Sequence, residues 1–291
     1  MLNLGAAAEC ALGQDQKHQM SAAAFPLILE PGALAGQTAV ENVLVVDLST
    51  AERYVEGHVP GAVHLEYAAL NASRPPVGGL LPDDAELSRI FSAIGLTENH
   101  HVVAYDEEGG GKASRLLWTL DVIGHRRFSL LDGGWRAWSA DGLAGETRPV
   151  APTPSRYVAT AGEAGRADRN YILARLGAAD LVVVDSRTPQ EYSGDERRAE
   201  RGGHIPGAVN FNWVDAMDPD RALRLKPKHA LLEAFTALGV TPDKEVVAYC
   251  QTHRRSSHTY IVLKSLGFER VRGYPGSWSE WGNDPSTPIE A

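Results

Sequence analysis

A chain of 291 residues with 43% hydrophobic and 22% charged side chains has the balance of a globular protein, and its length suits two domains better than one core. A net charge of -9 and a pI near 5.6 argue against a nucleic-acid or anionic-membrane surface, so any positive site must be local. With only Cys10 and Cys250 there is no disulfide framework, a reducing, cytoplasmic setting is expected, and no apolar run approaches the roughly 20 residues that span a bilayer.

Residues 1–24 are alanine-rich but interrupted by Glu9, Gln14, Asp15, Gln16 and Lys17, and they read as a disordered tail instead of a signal peptide. Cys10 is a bystander there, and Met20 is an alternative start. The run Val43 to Asp47 predicts a buried strand ending in a carboxylate. Thr50 to Tyr54 is helix-compatible, and Gly57-His58-Val59-Pro60-Gly61-Ala62-Val63 forces a turn into a short strand. Arg74 to Pro82 reads as a Pro/Gly-rich loop. Asp83 with Glu86 has capping-box spacing for a helix that packs Leu87, Ile90, Phe91 and Ile94 inward and ends near Gly95. A strand at His101 to Tyr105, Asp106, the Gly109-Gly110-Gly111 run, a helix from Ala113 to Ile123, a strand from Arg127 to Leu131 and a short helix with Trp135 and Trp138 complete this part. Alternation of strands and helices implies βα units and a mainly parallel sheet.

Residues 146–165, rich in Pro, Ala, Gly and Thr, mark a linker or a wrapping connection between segments 25–145 and 166–291. The landmarks then recur in the same order. Leu181 to Asp185 repeats the first strand, Gly203 to Val209 the turn, Glu245 to Tyr249 the third landmark, and Gly276-Ser277-Trp278 with Trp281 the aromatic one. Such a period means duplicated domains, not a solenoid. Alignment of the matched strands places Asp106 opposite Cys250, and the second copy carries about eight extra residues around Ser193 to Gly202.

A thiol of ordinary pKa, about 8.5, becomes a nucleophile beside cations and helix N-termini. His253, Arg254 and Arg255 follow Cys250 closely, and an apolar, helix-compatible segment begins at Tyr260. Folded round the sulfur, residues 250–255 can turn backbone N–H groups inward as an anion nest, able to hold a thiolate, a persulfide or an oxyanion. His253 and His258 lack the spacing and the second cysteine of a zinc site, so no metal is expected. Gly109 to Lys112 lacks phosphate-loop spacing and reads as the degenerate counterpart of the active loop. Asp185 is expected to hold its turn as an acceptor, and His58 and His204 to hydrogen-bond within theirs.

Two tandem copies, Asp185-Ser186-Arg187, the His-Ile-Pro-Gly-Ala turn and a loop cysteine confined to the second copy together resemble a two-domain rhodanese, a thiosulfate sulfurtransferase, over roughly Leu27 to Glu290. The loop Cys-Gln-Thr-His-Arg-Arg-Ser is most similar to the bacterial subgroup with Cys-Gln-Thr-His-His-Arg-Ser, departing at Arg254. It lacks the Cys-Arg-Lys-Gly and Cys-Gly-Ser-Gly starts of the animal thiosulfate and mercaptopyruvate enzymes. The resemblance implies two doubly wound α/β rhodanese-like domains with mainly parallel sheets flanked by helices, the first non-catalytic and the second catalytic. It implies that Cys250 takes sulfane sulfur from thiosulfate, with mercaptopyruvate as the lesser donor, and passes it from a persulfide to cyanide, a thiol or a sulfur-accepting protein. Arg187, Arg254 and Arg255 are then the donor-binding candidates, Arg255 alternatively bracing the loop through carbonyls. The backbone of Gln251, Thr252, His253, Arg254 and Arg255 cradles the persulfide, with no metal or organic cofactor.

Two other readings use the same loop. A cysteine phosphatase or arsenate reductase also builds a nest, but such phosphatases place five residues between cysteine and arginine, whereas four, Gln251 to Arg254, intervene here. A non-catalytic persulfide carrier or redox sensor keeps Cys250 without turnover.

Overall fold

The computed structural model describes residues 25–40 and 42–291; the expected tail, with Cys10 and Met20, lies outside them. Among the described residues seven strands belong to the first half: β1 (Ile28–Leu29), β2 (Val43–Asp47), β3 (Val63–His64), β4 (Ala72–Arg74), β5 (Val77–Leu80), β6 (His101–Tyr105) and β7 (Phe128–Leu131). Six follow in the second: β8 (Leu181–Asp185), β9 (Val209–Asn210), β10 (Met217–Asp218), β11 (Arg224–Leu225), β12 (Glu245–Tyr249) and β13 (Val271–Gly273). Parallel pairing orders the main sheets β1-β7-β6-β2-β3 and β13-β12-β8-β9. The unbroken apolar runs of β6 and β12 are buried along their whole length, as strands covered on both faces require.

Among the described residues ten α-helices flank them: α1 (Pro31–Leu34), α2 (Ala51–Glu56), α3 (Asp84–Ala93), α4 (Gly111–Val122), α5 (Gly134–Ala140), α6 (Arg169–Ala174), α7 (Pro189–Ser193), α8 (Lys228–Ala237), α9 (Arg255–Ser265) and α10 (Ser277–Trp281). Side-chain caps start several of them. Asp83 accepts from the Glu86 N–H at 2.9 Å, and Thr188 with Glu191 closes a full capping box on α7. The repeated turn is held twice in the same way. His58 Nδ1 bonds the Tyr54 carbonyl at 2.8 Å with the two rings stacked, and His204 does so with Tyr192 at 2.9 Å.

The halves meet along α4 and α9. Trp118 packs edge-on to His253 with centroids 4.4 Å apart, the Tyr260 hydroxyl donates to Asp121 at 2.5 Å, and one buried apolar cluster runs from Phe91 and Leu117 into Tyr260 and Phe268. Residues 146–165 form neither helix nor strand and wrap back over the first half. Tyr157 N–H donates to Ser92 Oγ, Ala159 N–H to Ser88 Oγ and Ala161 N–H to Asp84 Oδ1, each at 2.9 to 3.0 Å. Two expectations change. The stretch Arg74 to Pro82 is not a plain loop but the larger part of the antiparallel β4–β5 hairpin, and the helix after Cys250 begins at Arg255 instead of Tyr260. Arg255 through Thr259 lack an apolar stripe because this turn is enclosed by the site and by the other half, so periodicity could not show its start.

Candidate active site

Cys250 follows the last residue of β12, where Tyr249 lies in register with Asp185 of β8, and the thiol is only 1% exposed. The chain then reverses through residues 251–254, with His253 at φ 59°, and enters α9. His253 tolerates this left-handed conformation because its ring is fixed, with Nδ1 2.7 Å from Ser256 Oγ and its carbonyl accepting from the Ser257 hydroxyl. The loop is clamped from behind by α10: Cys250 N–H donates to Ser277 Oγ at 3.2 Å, and the Cys250 and Gln251 carbonyls accept from the N–H groups of Trp278 and Ser279.

Burial pushes the Cys250 thiol up, but four influences pull it down further: the Arg255 guanidinium, the Ser256 hydroxyl, and the N–H groups of Ser256 and Thr252. The net result is a thiol held below its ordinary value. The sulfur thus sits at the N-terminus of α9, where unpaired backbone N–H groups favour an anion.

The surrounding cations are mostly neutralised. Arg255 makes a bidentate pair with Glu191 at 2.5 and 2.9 Å, and Glu191 is fully buried and also 3.4 Å from Arg198. Arg254, about one third exposed, reaches out of the loop to Glu108 of the first half at 2.9 Å. Gln251 donates to the Arg198 carbonyl at 2.9 Å and so pins the segment that the second copy inserts after α7. Among the described residues no group of three His, Cys, Asp or Glu side chains is arranged to hold a metal.

Arg187, a donor-binding candidate from the sequence, is engaged within its own half. It is 1% exposed, its Nε and Nη2 are spent on both Asp185 carboxylate oxygens at 2.6 to 3.0 Å, Nη2 also donates to the Gly203 carbonyl, and the guanidinium stacks 4.4 Å over Trp278. Through Nε and Nη2 Arg187 thus braces the turn two residues beyond β8. Asp185 is the acceptor in that turn, as the sequence implies.

The first half covers the loop. Gly79, at φ +72°, lies so close to Thr252 that a Cβ would fall 2.2 Å from the Thr252 carbonyl oxygen, and Gly78 N–H donates to Ser279 Oγ at 3.1 Å. Reciprocally, Gly109 of the first copy's loop lies against Met217 of β10. In that loop the Asp106 carboxylate occupies the nest: Oδ1 accepts from the N–H groups of Glu108 and Gly110, and Oδ2 from those of Lys112 and Ala113, at 2.8 to 2.9 Å. Sequence reasoning named Thr252 and Arg255 but missed Ser256, Glu191 and Glu108 as parts of the site. Of these only Ser256 carried a signal, since its hydroxyl follows Arg255 at the start of the helix.

A family model for the rhodanese-like domain matches residues 30–141 and again 168–284. Among curated proteins the chain is similar to a thiosulfate sulfurtransferase of Pseudomonas aeruginosa, 48% identical over 266 residues that cover 91% of this chain and 97% of that one. It is also similar to a thiosulfate sulfurtransferase of Azotobacter vinelandii, 46% identical over 268 residues, 92% of this chain and 98% of that one. Among solved structures it resembles the anaerobic ergothioneine biosynthesis enzyme from Chlorobium limicola, with a TM-score of 0.78 at 23% identity, over 86% of this chain and 65% of that one. The chain therefore spans slightly less than two thirds of that enzyme's length, and the likeness is one of fold.

Proposed function

This chain belongs to the rhodanese-like domain family in both of its halves, and from that membership we propose that it is a thiosulfate sulfurtransferase working through a persulfide on Cys250. The observation that carries the reading is the environment of the sulfur: a buried thiol pulled below its ordinary pKa by Arg255, Ser256 and Thr252, at the point where the first half places an anion of its own, Asp106. A loop bound to a carboxylate in one copy suits a sulfur anion in the other.

The Cys250 thiolate attacks the outer sulfur of thiosulfate; the sulfur–sulfur bond of the donor breaks and sulfite leaves with its electron pair. The persulfide anion that remains on Cys250 sits in the cradle of Thr252 and Ser256 N–H groups, with Arg255 beside it. Cyanide or a thiolate then takes the terminal sulfur and returns Cys250 to the thiolate. Charge balances in both steps, so no metal, organic cofactor or external oxidant is required. Arg254 is the cation that can swing from Glu108 to meet the dianionic donor, being the most exposed of the loop's charges.

The loop's similarity to the bacterial Cys-Gln-Thr-His-His-Arg-Ser subgroup supports thiosulfate as the main donor over mercaptopyruvate. A protein thiol as acceptor and a cytoplasmic setting, where a lone reactive thiol stays reduced, complete the reading. No described helix is long and apolar enough to cross a membrane. The test is the intact mass of the protein after incubation with thiosulfate under non-reducing conditions. Gain of one sulfur atom that is absent in Cys250→Ser and discharged by cyanide as thiocyanate is expected. No gain with either donor, together with hydrolysis of a phosphate ester, overturns the reading, and a stable persulfide without turnover makes the protein a carrier instead.

A further inference from the structure

Of the cations beside the active loop, Arg115 of α4 is the one for which, among the described residues, no carboxylate partner is found. Its side chain has no exposure. Nη2 donates to the carbonyls of Leu70, Gly79 and Leu80 at 2.9 to 3.2 Å, while Nε and Nη1 are buried without any partner. The guanidinium lies 4.8 Å over the Trp118 ring, the same ring that packs on His253, and the Gly79 whose carbonyl it binds abuts Thr252. Arg115 is thus lodged in the first half, one residue layer behind the catalytic loop.

A buried guanidinium keeps its charge, and a buried charge without a counter-ion is costly. Burial pulls Arg115 down to about 10, and the two acids that pull it back up are Tyr67 and Cys250. Tyr67 is pushed up, chiefly by burial, and is neutral near pH 7. Among the other groups facing the sulfur, Arg254 pairs with Glu108, Arg187 with Asp185 and buried His253 stays neutral, while Arg255, though paired with Glu191, still pulls the thiol down.

We propose that Arg115, although it belongs to the half without the cysteine, is a positioning residue for the reaction: its buried, unpartnered charge adds to that of Arg255 in keeping the Cys250 sulfur anionic as thiolate and as persulfide. The cysteine-free half then supplies part of the electrostatics of catalysis as well as a wall. This inference rests on Cys250 being the nucleophile. Its test needs no donor, so failure of sulfur transfer and failure of this assignment are separate results.

The competing role is mechanical, a tether for the β4–β5 hairpin through three carbonyls. Arg115→Gln keeps hydrogen-bond donors but loses the charge; Arg115→Lys keeps the charge but loses the fork. The measurement is the rate of Cys250 alkylation by iodoacetamide across pH, with urea unfolding as the check on folding. Expected is a shift of the thiolate midpoint to higher pH by about one unit in R115Q, seen as a roughly tenfold slower reaction at about pH 6.5, with R115K within about twofold of the parent. An unshifted R115Q, or equal shifts in R115K and R115Q, overturns the proposal. Should R115Q fail to fold, Arg115→Met, which fills a similar volume without charge, is read by the same alkylation midpoint: a rise supports the proposal and an unchanged midpoint overturns it.

Discussion

Asp106 stands at the end of β6 as Cys250 stands at the end of β12, and its carboxylate takes the backbone N–H groups of Glu108, Gly110, Lys112 and Ala113, two of which correspond to the Thr252 and Ser256 groups that hold the sulfur. One copy of the duplicated loop carries its anion in the chain; the other leaves the place to sulfur chemistry. Asp106→Ala should therefore strand four donors, two of them in fully buried hydrogen bonds, and cost about 2–4 kcal/mol of stability in urea unfolding, since hydrogen bonds to a charged group are worth about 1.5–3 kcal/mol and part of the loop relaxes. Asp106→Asn, which keeps one acceptor oxygen, should lose less. Equal stability of parent and D106A would mean that the nest is not held by its anion.

Arg187 provides a second test, because its geometry separates structure from substrate binding. Arg187→Lys breaks the fork on Asp185 and the bond to Gly203 inside a fully buried pair. A loss of about 2–3 kcal/mol is expected, with the KM for thiosulfate within about twofold of the parent. A raised KM with unchanged stability would return Arg187 to the donor site.

The Arg255–Glu191 pair couples stability to reactivity. Arg255→Met leaves the Glu191 carboxylate buried with only the half-exposed Arg198 beside it, for an expected loss of about 3–5 kcal/mol, and R255M/E191M should regain more than half of it. The pH dependence follows with its sign. The reactive species is the thiolate, so its reaction rises with pH up to the lowered pKa of the folded protein and is flat above it. Removal of Arg255 must move that rise to higher pH, as alkylation rates of the double variant will report.

Acid stability is set in part by imidazoles buried in the neutral state. Burial lowers His101 and His258 to about 4 and holds His253 well below the ordinary imidazole value. Above about pH 6.5 all three are neutral in both folded and unfolded chains. Below it the unfolded chain takes up protons that the folded one refuses, so stability falls from about pH 6.5 to about 4, by up to about 1.4 kcal/mol per pH unit for each imidazole. Urea midpoints at pH 7.5 and 5.5 measure the slope, and His258→Leu, which removes a ring with two unbonded nitrogens, should flatten it.

Gly79 tests whether cover from the first half matters to the loop. Gly79→Ala needs a left-handed alanine and places a methyl group 2.2 Å from the Thr252 carbonyl oxygen, so the hairpin or the loop must move. A loss of about 2–3 kcal/mol and a sulfur-transfer rate at least tenfold lower are expected in a folded protein; unchanged turnover would show that the hairpin is dispensable.

Much of the architecture was legible because it is written in local patterns. Val-Leu-Val-Val-Asp and Leu-Val-Val-Val-Asp can hardly be anything but buried parallel strands, and the repeated His-x-Pro-Gly turn exposes the duplication. The contrast of Asp106 with Cys250 identifies the half that carries the thiol. The β4–β5 hairpin was not legible, since its strands of three and four residues hold two glycines and are joined by a Pro-Pro pair, and only contact with Thr252 and Ser279 gives it a purpose.

By itself, then, the sequence determined the two-copy parallel α/β fold and singled out Cys250, both of which depend on residues near in the chain. The tertiary structure alone decided how the charges are used. Arg187 is paired with Asp185, Arg255 with Glu191 and Arg254 with Glu108, whereas Arg115, remote in sequence, is left without a carboxylate partner behind the loop, among the described residues. The reason is that an ion pair acts over a few ångströms of low-dielectric interior, and which groups share those ångströms is set by the packing of one half on the other.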